Sequence, residues 1–461
     1  MAIELVELSI PGLAYIILGG FTVAFYTVSS LVRDKLYVNE VFLGTAFGIV
    51  MGPYGADLFD PRSWGISHKI TLEVMRVVLG IGLFMIGVDL PKRYMHEHMK
   101  GLLVVIVPTM AIGWAIIAGF LKLLFPQLNF ISCLAISACL TPTDPIICAA
   151  IVGGSFAPKS VSTSVRHLLS AESAANDGLA FPFLTIALYL TAESAKTVAV
   201  KKWFLIGCLY QVVLGTVIGA VLGAAFSHLM RLSLKKRLIN EEAYLAQQLA
   251  LPLLIIGIVS TIGSDDLLAA FAAGSAFCWD SQSFSERIEY KAFASIMDSV
   301  LNCACFVYIG AWLPFEAWHS AILGTNIYRL LVLFIAVIFL RRIPALLMLY
   351  KWVPEIKNWR EALFCGHFGP MGVSAVFVSS LAISKLPVPA NTPQNQAELL
   401  AAIIQPIVSF VVLGSIIVHG LSVMLLSLML GIRARRAESR TDSIPLNGVI
   451  FQGASNGSPR S

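Results

Sequence analysis

Residues 129–152 read NFISCLAISACLTPTDPIICAAIV. The stretch is long and apolar enough to cross about 30 Å of hydrocarbon as a helix, yet Thr141-Pro142-Thr143-Asp144-Pro145 falls in its middle. Proline lacks the amide proton that a helix needs and disfavours helix in the residue before it. Two prolines around an aspartate therefore predict a helix that unwinds halfway and then resumes. Unwound backbone at membrane depth is tolerated only where protein or a water-filled cavity surrounds it. A simple proline kink is the plainer alternative, and a second break in a matching place weighs against it.

That second break lies in 361–384, where Gly366-His367-Phe368-Gly369-Pro370-Met371-Gly372 interrupts another apolar run. Apolar runs bounded by charge, Pro or Gly give about thirteen candidate spans. They lie near 12–31, 38–56, 70–90, 101–125, 129–152, 167–191, 203–230, 244–263, 266–280, 292–313, 321–350, 361–384 and 398–431. The two interrupted runs are the fifth and twelfth. An offset of seven spans puts them in opposite orientations, the inverted six-helix repeat of many secondary transporters. The expected fold is all-α, a polytopic membrane protein with crossed broken helices. We expect 1–432 to be a single transmembrane unit, with its core from helices near 101–191 and 292–384. Residues 433–461, polar and rich in Ser and Arg, are expected to form a disordered cytoplasmic tail. Arg435-Arg436-Ala437-Glu438-Ser439 there has a basophilic kinase pattern, but a basic stop-transfer flank explains it more simply.

Composition agrees with a membrane protein. Hydrophobic residues make up 57% of the 461 and charged residues only 13%, against about 25% charged in ordinary soluble domains. The net charge of +5 does not point to nucleic acid, because the basic residues sit between apolar runs and form no patch. The eight cysteines all fall in apolar segments without metal-ligand spacing and read as small buried hydrophobes. The segment MAIELVELSI lacks a basic n-region, so 12–31 reads as a retained first helix. Lysine and arginine follow the odd-numbered spans, as at Arg33 and Lys35, Lys92 and Arg93, Arg231 and Lys235–Arg237, and Lys351 and Lys357. Such loops stay in the cytoplasm, which puts the N-terminus outside and the C-terminus in the cytoplasm. Lys196, Lys201 and Lys202 are the main exception.

The acids inside the spans carry the chemistry. In 167–191, Ser173 and Asp177 share one helical face, and Glu172 and Asn176 share the next. An ionised carboxylate at membrane depth costs several kcal/mol and marks an ion pathway or a paired structural site. No obvious basic partner for Asp177 exists in the sequence. For Glu172 one does: Arg341 and Arg342 lie well inside 321–350, and we expect a structural Glu172–Arg342 ion pair. Glu73 and Arg76 are spaced to pair locally, with Glu73 also a candidate along the ion path. Asp298 is a lone acid, either structural or on that path. Asp265 and Asp266, in a tight turn, are expected to gather cations at a mouth rather than hold them centrally.

At Thr143-Asp144-Pro145 and Glu172-Ser173-x-x-Asn176-Asp177 the chain resembles the monovalent cation/proton antiporter superfamily, and more narrowly the fungal plasma-membrane sodium/proton antiporters. Leu168–Ser173, Glu361–Pro370 and Ile417-Val418-His419-Gly420 extend the resemblance, which covers residues 12–432. It implies a plasma-membrane homodimer with a mobile core, exchanging Na+ or Li+, with K+ a further candidate, for H+ without any cofactor. It implies that Asp177 is the shared cation and proton carboxylate, helped by Ser173 and the Thr143 backbone around Na+, with Asp144 and Asn176 bracing the crossing. Where many relatives carry an arginine in the twelfth span, this chain has His367 and Phe368, which makes His367 a candidate for pH sensing. Its tail is also shorter than that of many fungal members. Two rivals come from other classes. An intramembrane aspartyl protease would pair Asp144 with Asp177 but needs a Gly-x-Gly-Asp element, and Ala174-Ala175-Asn176 precedes Asp177. A passive channel needs a continuous filter, which one carboxylate in an inverted repeat does not supply. We therefore expect a transporter rather than an enzyme, with membrane lipid around it.

Overall fold

The computed structural model describes residues 9–29, 31–32, 38–153, 161–279, 288–390 and 392–441. Among them the regular elements are helices, apart from one isolated bridge between Ser320 and Thr325. The first half comprises α1 (Ile10–Thr27), α2 (Glu40–Met51), α3 (Ser67–Asp89), α4 (Met99–Leu124), α5 (Phe130–Cys139), α6 (Pro145–Gly153) and α7 (Thr163–Ala192). Then follow α8 (Lys196–Lys235), α9 (Glu241–Ile262), α10 (Asp266–Phe277) and α11 (Ile288–Trp312). The last are α12 (Ile327–Leu340), α13 (Ile343–Leu349), α14 (Trp359–His367), α15 (Val373–Ser384) and α16 (Gln396–Thr441). Seven helical segments among the described residues are long and apolar enough to cross a membrane.

Short polar side chains set the helix starts. Ser9, Asn39, Asn129, Ser162, Asn240, Asp265 and Asn326 each accept a backbone amide from the first turn that follows, satisfying donors that would otherwise be orphaned. Between α9 and α10 the chain reverses in three residues. Gly263 ends α9 in the left-handed region, at φ +82°, where glycine carries no steric penalty.

Glycines let several helices touch backbone to backbone. A Cβ on Gly48 of α2 would collide with the Val307 carbonyl of α11, and one on Gly310 with the Thr45 carbonyl of α2. Gly87 of α3 and Gly274 of α10 form the same reciprocal contact, against Ser275 and Phe84. On α8, Gly219 and Gly223 lie against the carbonyls of Ala269 and Ala273 on α10. Association inside hydrocarbon relies on close packing rather than on expulsion of water, and small residues permit it.

Three boundaries differ from the sequence reading. The predicted span 321–350 is broken: α12 stops at Leu340, Arg341 and Arg342 turn inward, and Pro344 opens α13. Helix α8 begins at Lys196 and is π-helical over Trp203–Leu214, so Lys196, Lys201 and Lys202 lie on a helix. Backbone helix continues through Thr441, which corrects the expected disordered start at 433; residues 442–461 lie outside the described residues. Helix α11 packs most heavily on α2, and α16 packs against α5, α12 and α15.

Candidate ion-binding site at the helix crossing

Both predicted breaks are present. Helix α5 ends at Cys139 and α6 begins at Pro145, while α14 ends at His367 and α15 begins at Val373. The two unwound segments meet: the Asp144 amide donates to the Pro370 carbonyl at 2.8 Å. Asp144 itself, fully buried, caps both resuming helices. Its Oδ1 accepts from Ile146 and Ile147, each at 2.9 Å, and its Oδ2 accepts from Val373. The carboxylate thus sits at two helix N-termini, where the macrodipoles favour negative charge. With both oxygens engaged by backbone amides, Asp144 is a brace.

The carbonyls freed by the breaks find Arg341. Its Nη1 donates to the carbonyls of Leu140 at 2.6 Å, Thr141 at 3.2 Å and Pro142 at 3.1 Å, and its Nη2 donates to Gly369. One guanidinium therefore serves both unwound segments. Next to it, Arg342 meets Glu172 in a two-pronged pair, Nη1–Oε1 at 2.6 Å and Nη2–Oε2 at 2.9 Å, with both residues almost wholly buried. The Asn176 amide extends this network. Its Nδ2 donates to Glu172 Oε1 at 2.9 Å and to Thr143 Oγ1 at 2.7 Å, and its Oδ1 accepts the Thr143 amide at 3.0 Å. Asn176 ties the Asp177 helix to the first break.

Asp177 is 3% exposed and has no ion-pair partner among the described residues. Its Oδ2 accepts the Ser374 hydroxyl at 2.7 Å, while Oδ1 is buried without a partner. Ser374 lies in the first turn of α15, just past the second break, and sequence reasoning missed it. The signal was weak: one serine in an apolar run, 197 residues from its partner. Neither Ser173 nor Thr143 bonds Asp177 in this structure. Ser173 donates to the Ser170 carbonyl at 3.1 Å, and Thr143 is held by Asn176.

A cavity of about 150 Å³ reaches Asp177, lined also by Asp265, Asp266, Arg76, Phe377 and Lys385. Asp265 and Asp266 are buried, each 6–7% exposed, and line this cavity. The turn tucks against α7, where a Cβ on Gly178 would lie 2.9 Å from Asp265 Oδ2. Asp265 Oδ1 caps α10 through Leu268, and its Oδ2 has no partner among the described residues. Asp266 pairs with Arg76 at 2.9 Å, the shorter of that arginine's contacts, with Glu73 at 3.4 Å and largely exposed. Asp298 accepts from Asn302 on its own helix at 3.1 Å. His367 lines a separate small cavity beside Arg341, Arg342 and His419, and its Nε2 lies 3.2 Å from Ser422 Oγ. All eight cysteines are free thiols.

Comparison with known proteins identifies the family and the fold. The family described as "Sodium/hydrogen exchanger, transmembrane" matches residues 21–428. A probable Na(+)/H(+) antiporter of Schizosaccharomyces pombe is 41% identical over 433 residues, 92% of this chain and 57% of that protein. A second antiporter of that yeast is 39% identical over 418 residues, 89% of each chain. The chain spans about half the length of several curated relatives that it matches. The sodium proton antiporter MjNhaP1 of Methanocaldococcus jannaschii superposes with a TM-score of 0.66 at 18% identity, covering 91% of this chain and 99% of that one, which shows a shared fold. Because the family match runs through both broken helices and the Asp177 helix between them, this multi-pass membrane protein belongs to the sodium/hydrogen exchanger family.

Proposed function

We propose that the protein exchanges cytoplasmic Na+ or Li+, with K+ a further candidate, for external H+ across the plasma membrane, and that Asp177 is the shared binding carboxylate. The observation that carries this reading is the state of that one side chain. One oxygen is fixed by Ser374, and the other is buried, without a partner among the described residues, beside a cavity that also holds Asp265, Asp266, Arg76 and Lys385. A proton on Oδ1 or a dehydrated alkali cation against it would each neutralise the carboxylate, and both cannot occupy it together. A buried bare carboxylate is costly at membrane depth. The site therefore crosses the barrier readily only when loaded, and that restriction couples the two flows.

Asp144, Asn176 and the Glu172–Arg342 pair hold the crossing around this site, and Arg341 neutralises its carbonyls. Thr143 and Ser173 complete the cation shell in a loaded state through small rotations, beginning from their present bonds to Asn176 and Ser170. Asp265, Asp266 and Glu73 line or approach the cavity from the predicted external side and steer cations along it. Asp298 lies on the opposite approach. His367, in its own cavity, adjusts the crossing with pH through α16. Alternating access would move a core of α4–α7 and α12–α16 against the remaining helices in a homodimer, with the N-terminus outside and the C-terminus in the cytoplasm. Helix α8, whose apolar window is only 17% buried, offers a surface to lipid or to the second copy.

Purified protein in liposomes with a pH-sensitive dye tests this. Each alkali cation is added outside, with and without an imposed membrane potential. Na+ and Li+ should drive proton movement in the opposite direction, and sodium flux without proton counterflow would instead indicate a channel.

A further inference from the structure

An apolar cavity of about 660 Å³ lies apart from the ion site. It opens between α4 and α7 on one side and α8 and α10 on the other. Four alanines, Ala175, Ala220, Ala224 and Ala272, lie among larger apolar side chains such as Met99, Leu103 and Phe271 in its walls. On α8 the lining runs from Val212 and Thr216 to Arg231. From Thr216 to Arg231 the helix rises about 22 Å at 1.5 Å per residue, against roughly 15 Å for one leaflet's half of the hydrocarbon.

The two ends of this groove differ in chemistry. The deep end is Ile106, Leu179 and Leu268, all apolar. The other end carries Arg231 and Trp279, both exposed, at the basic end of α8 where Lys235, Lys236 and Arg237 follow. Arg231 Nε and Nη2 rest on Ser227, with no carboxylate partner among the described residues. One turn inside Trp279, Ser275 lines the same groove with a buried hydroxyl that has no partner among the described residues. An apolar trough ending in an interfacial tryptophan and an arginine with no carboxylate partner among the described residues matches the layering of a membrane leaflet.

We propose that this groove holds one diacyl phospholipid with a net-negative headgroup, drawn from the leaflet on the predicted cytoplasmic side. An acyl chain fills the apolar trough, an ester carbonyl accepts from the Ser275 hydroxyl, and the phosphate and headgroup anion face Arg231. The lipid lies between the helix that carries Asp177 and the α8–α10 pair. It therefore occupies a seam along which the proposed core would move. The inference depends on the chain spanning a bilayer and not on which ions it exchanges.

The test reads bound lipid directly. Protein purified in detergent is stripped and then reloaded with phosphatidylserine or phosphatidylcholine, and the lipid retained is counted by native mass spectrometry. Wild type should keep about one phosphatidylserine per chain, with a preference over phosphatidylcholine on the order of tenfold. Ala224→Phe, which fills the trough at a position facing open space, should abolish retention of both. Arg231→Gln, at an exposed position, should keep the site and lose the headgroup preference. Equal retention of the two lipids by wild type, unchanged retention in Ala224→Phe, or an undiminished preference in Arg231→Gln overturns the proposal. Because no ion flux enters the readout, its failure is distinguishable from failure of the antiport reading.

Discussion

Replacing Arg341 by methionine should destabilise the helix crossing. The guanidinium is buried and donates to carbonyls of both unwound segments, Leu140 through Pro142 on one and Gly369 on the other. Those carbonyls lost their helical partners because Pro142, Pro145 and Pro370 interrupt the ladders. Methionine fills much of the volume but donates nothing. At least one charge-assisted bond to each segment disappears, at about 1.5–3 kcal/mol apiece, so a loss of about 3–6 kcal/mol is expected. Burying the arginine itself carries a desolvation cost, which pulls the measured loss toward the low end. Lysine is an instructive comparison, since it keeps the charge but cannot fork to both segments, and Arg341→Lys should fall between wild type and Arg341→Met. The assay is thermal unfolding of the detergent-solubilised protein followed by size-exclusion chromatography, which does not depend on transport. An Arg341→Met variant with the wild-type midpoint would refute the reasoning.

Further expectations concern the neighbouring network. Arg342→Ala leaves Glu172 buried with only Asn176 as partner and should cost about 3–5 kcal/mol. The paired Glu172→Leu/Arg342→Met variant should recover most of that in the same assay, and no recovery would contradict a structural role for the pair. Ser374→Ala removes the bond to Asp177 Oδ2. It should raise the half-saturating Na+ concentration in liposome flux roughly tenfold, for a charge-assisted bond of about 1.5 kcal/mol, with little change in unfolding. Unaltered Na+ dependence would remove Ser374 from the site.

The breaks were legible in the sequence because two prolines flank Asp144 and Pro370 stands between glycines, whereas the single prolines Pro108, Pro182, Pro252 and Pro406 stay inside continuous helices. Asp177 was legible because an acid in an apolar run is conspicuous. The Glu172–Arg342 pair could be anticipated because both charges lie at depth and each needs an opposite charge. Ser374 and the four carbonyls held by Arg341 were not legible. Serine is unremarkable inside a membrane helix, and carbonyl orientation appears only once two segments cross. The same limit hid how closely the Asp265 turn packs on α7, since that contact joins residues far apart in sequence. The broken span at Arg341 illustrates a different difficulty. Its residues are apolar on both sides, so hydropathy bridges a turn that exists to aim two arginines inward.

The central claim is that a proton and an alkali cation compete for Asp177. Its most direct test is proton release when Na+ is added to purified protein in weakly buffered detergent solution. Wild type should release protons in proportion to Na+ bound, saturating with site occupancy, and Asp177→Asn should release none while remaining folded. Proton release by Asp177→Asn equal to that of wild type would place the competition elsewhere and contradict the account.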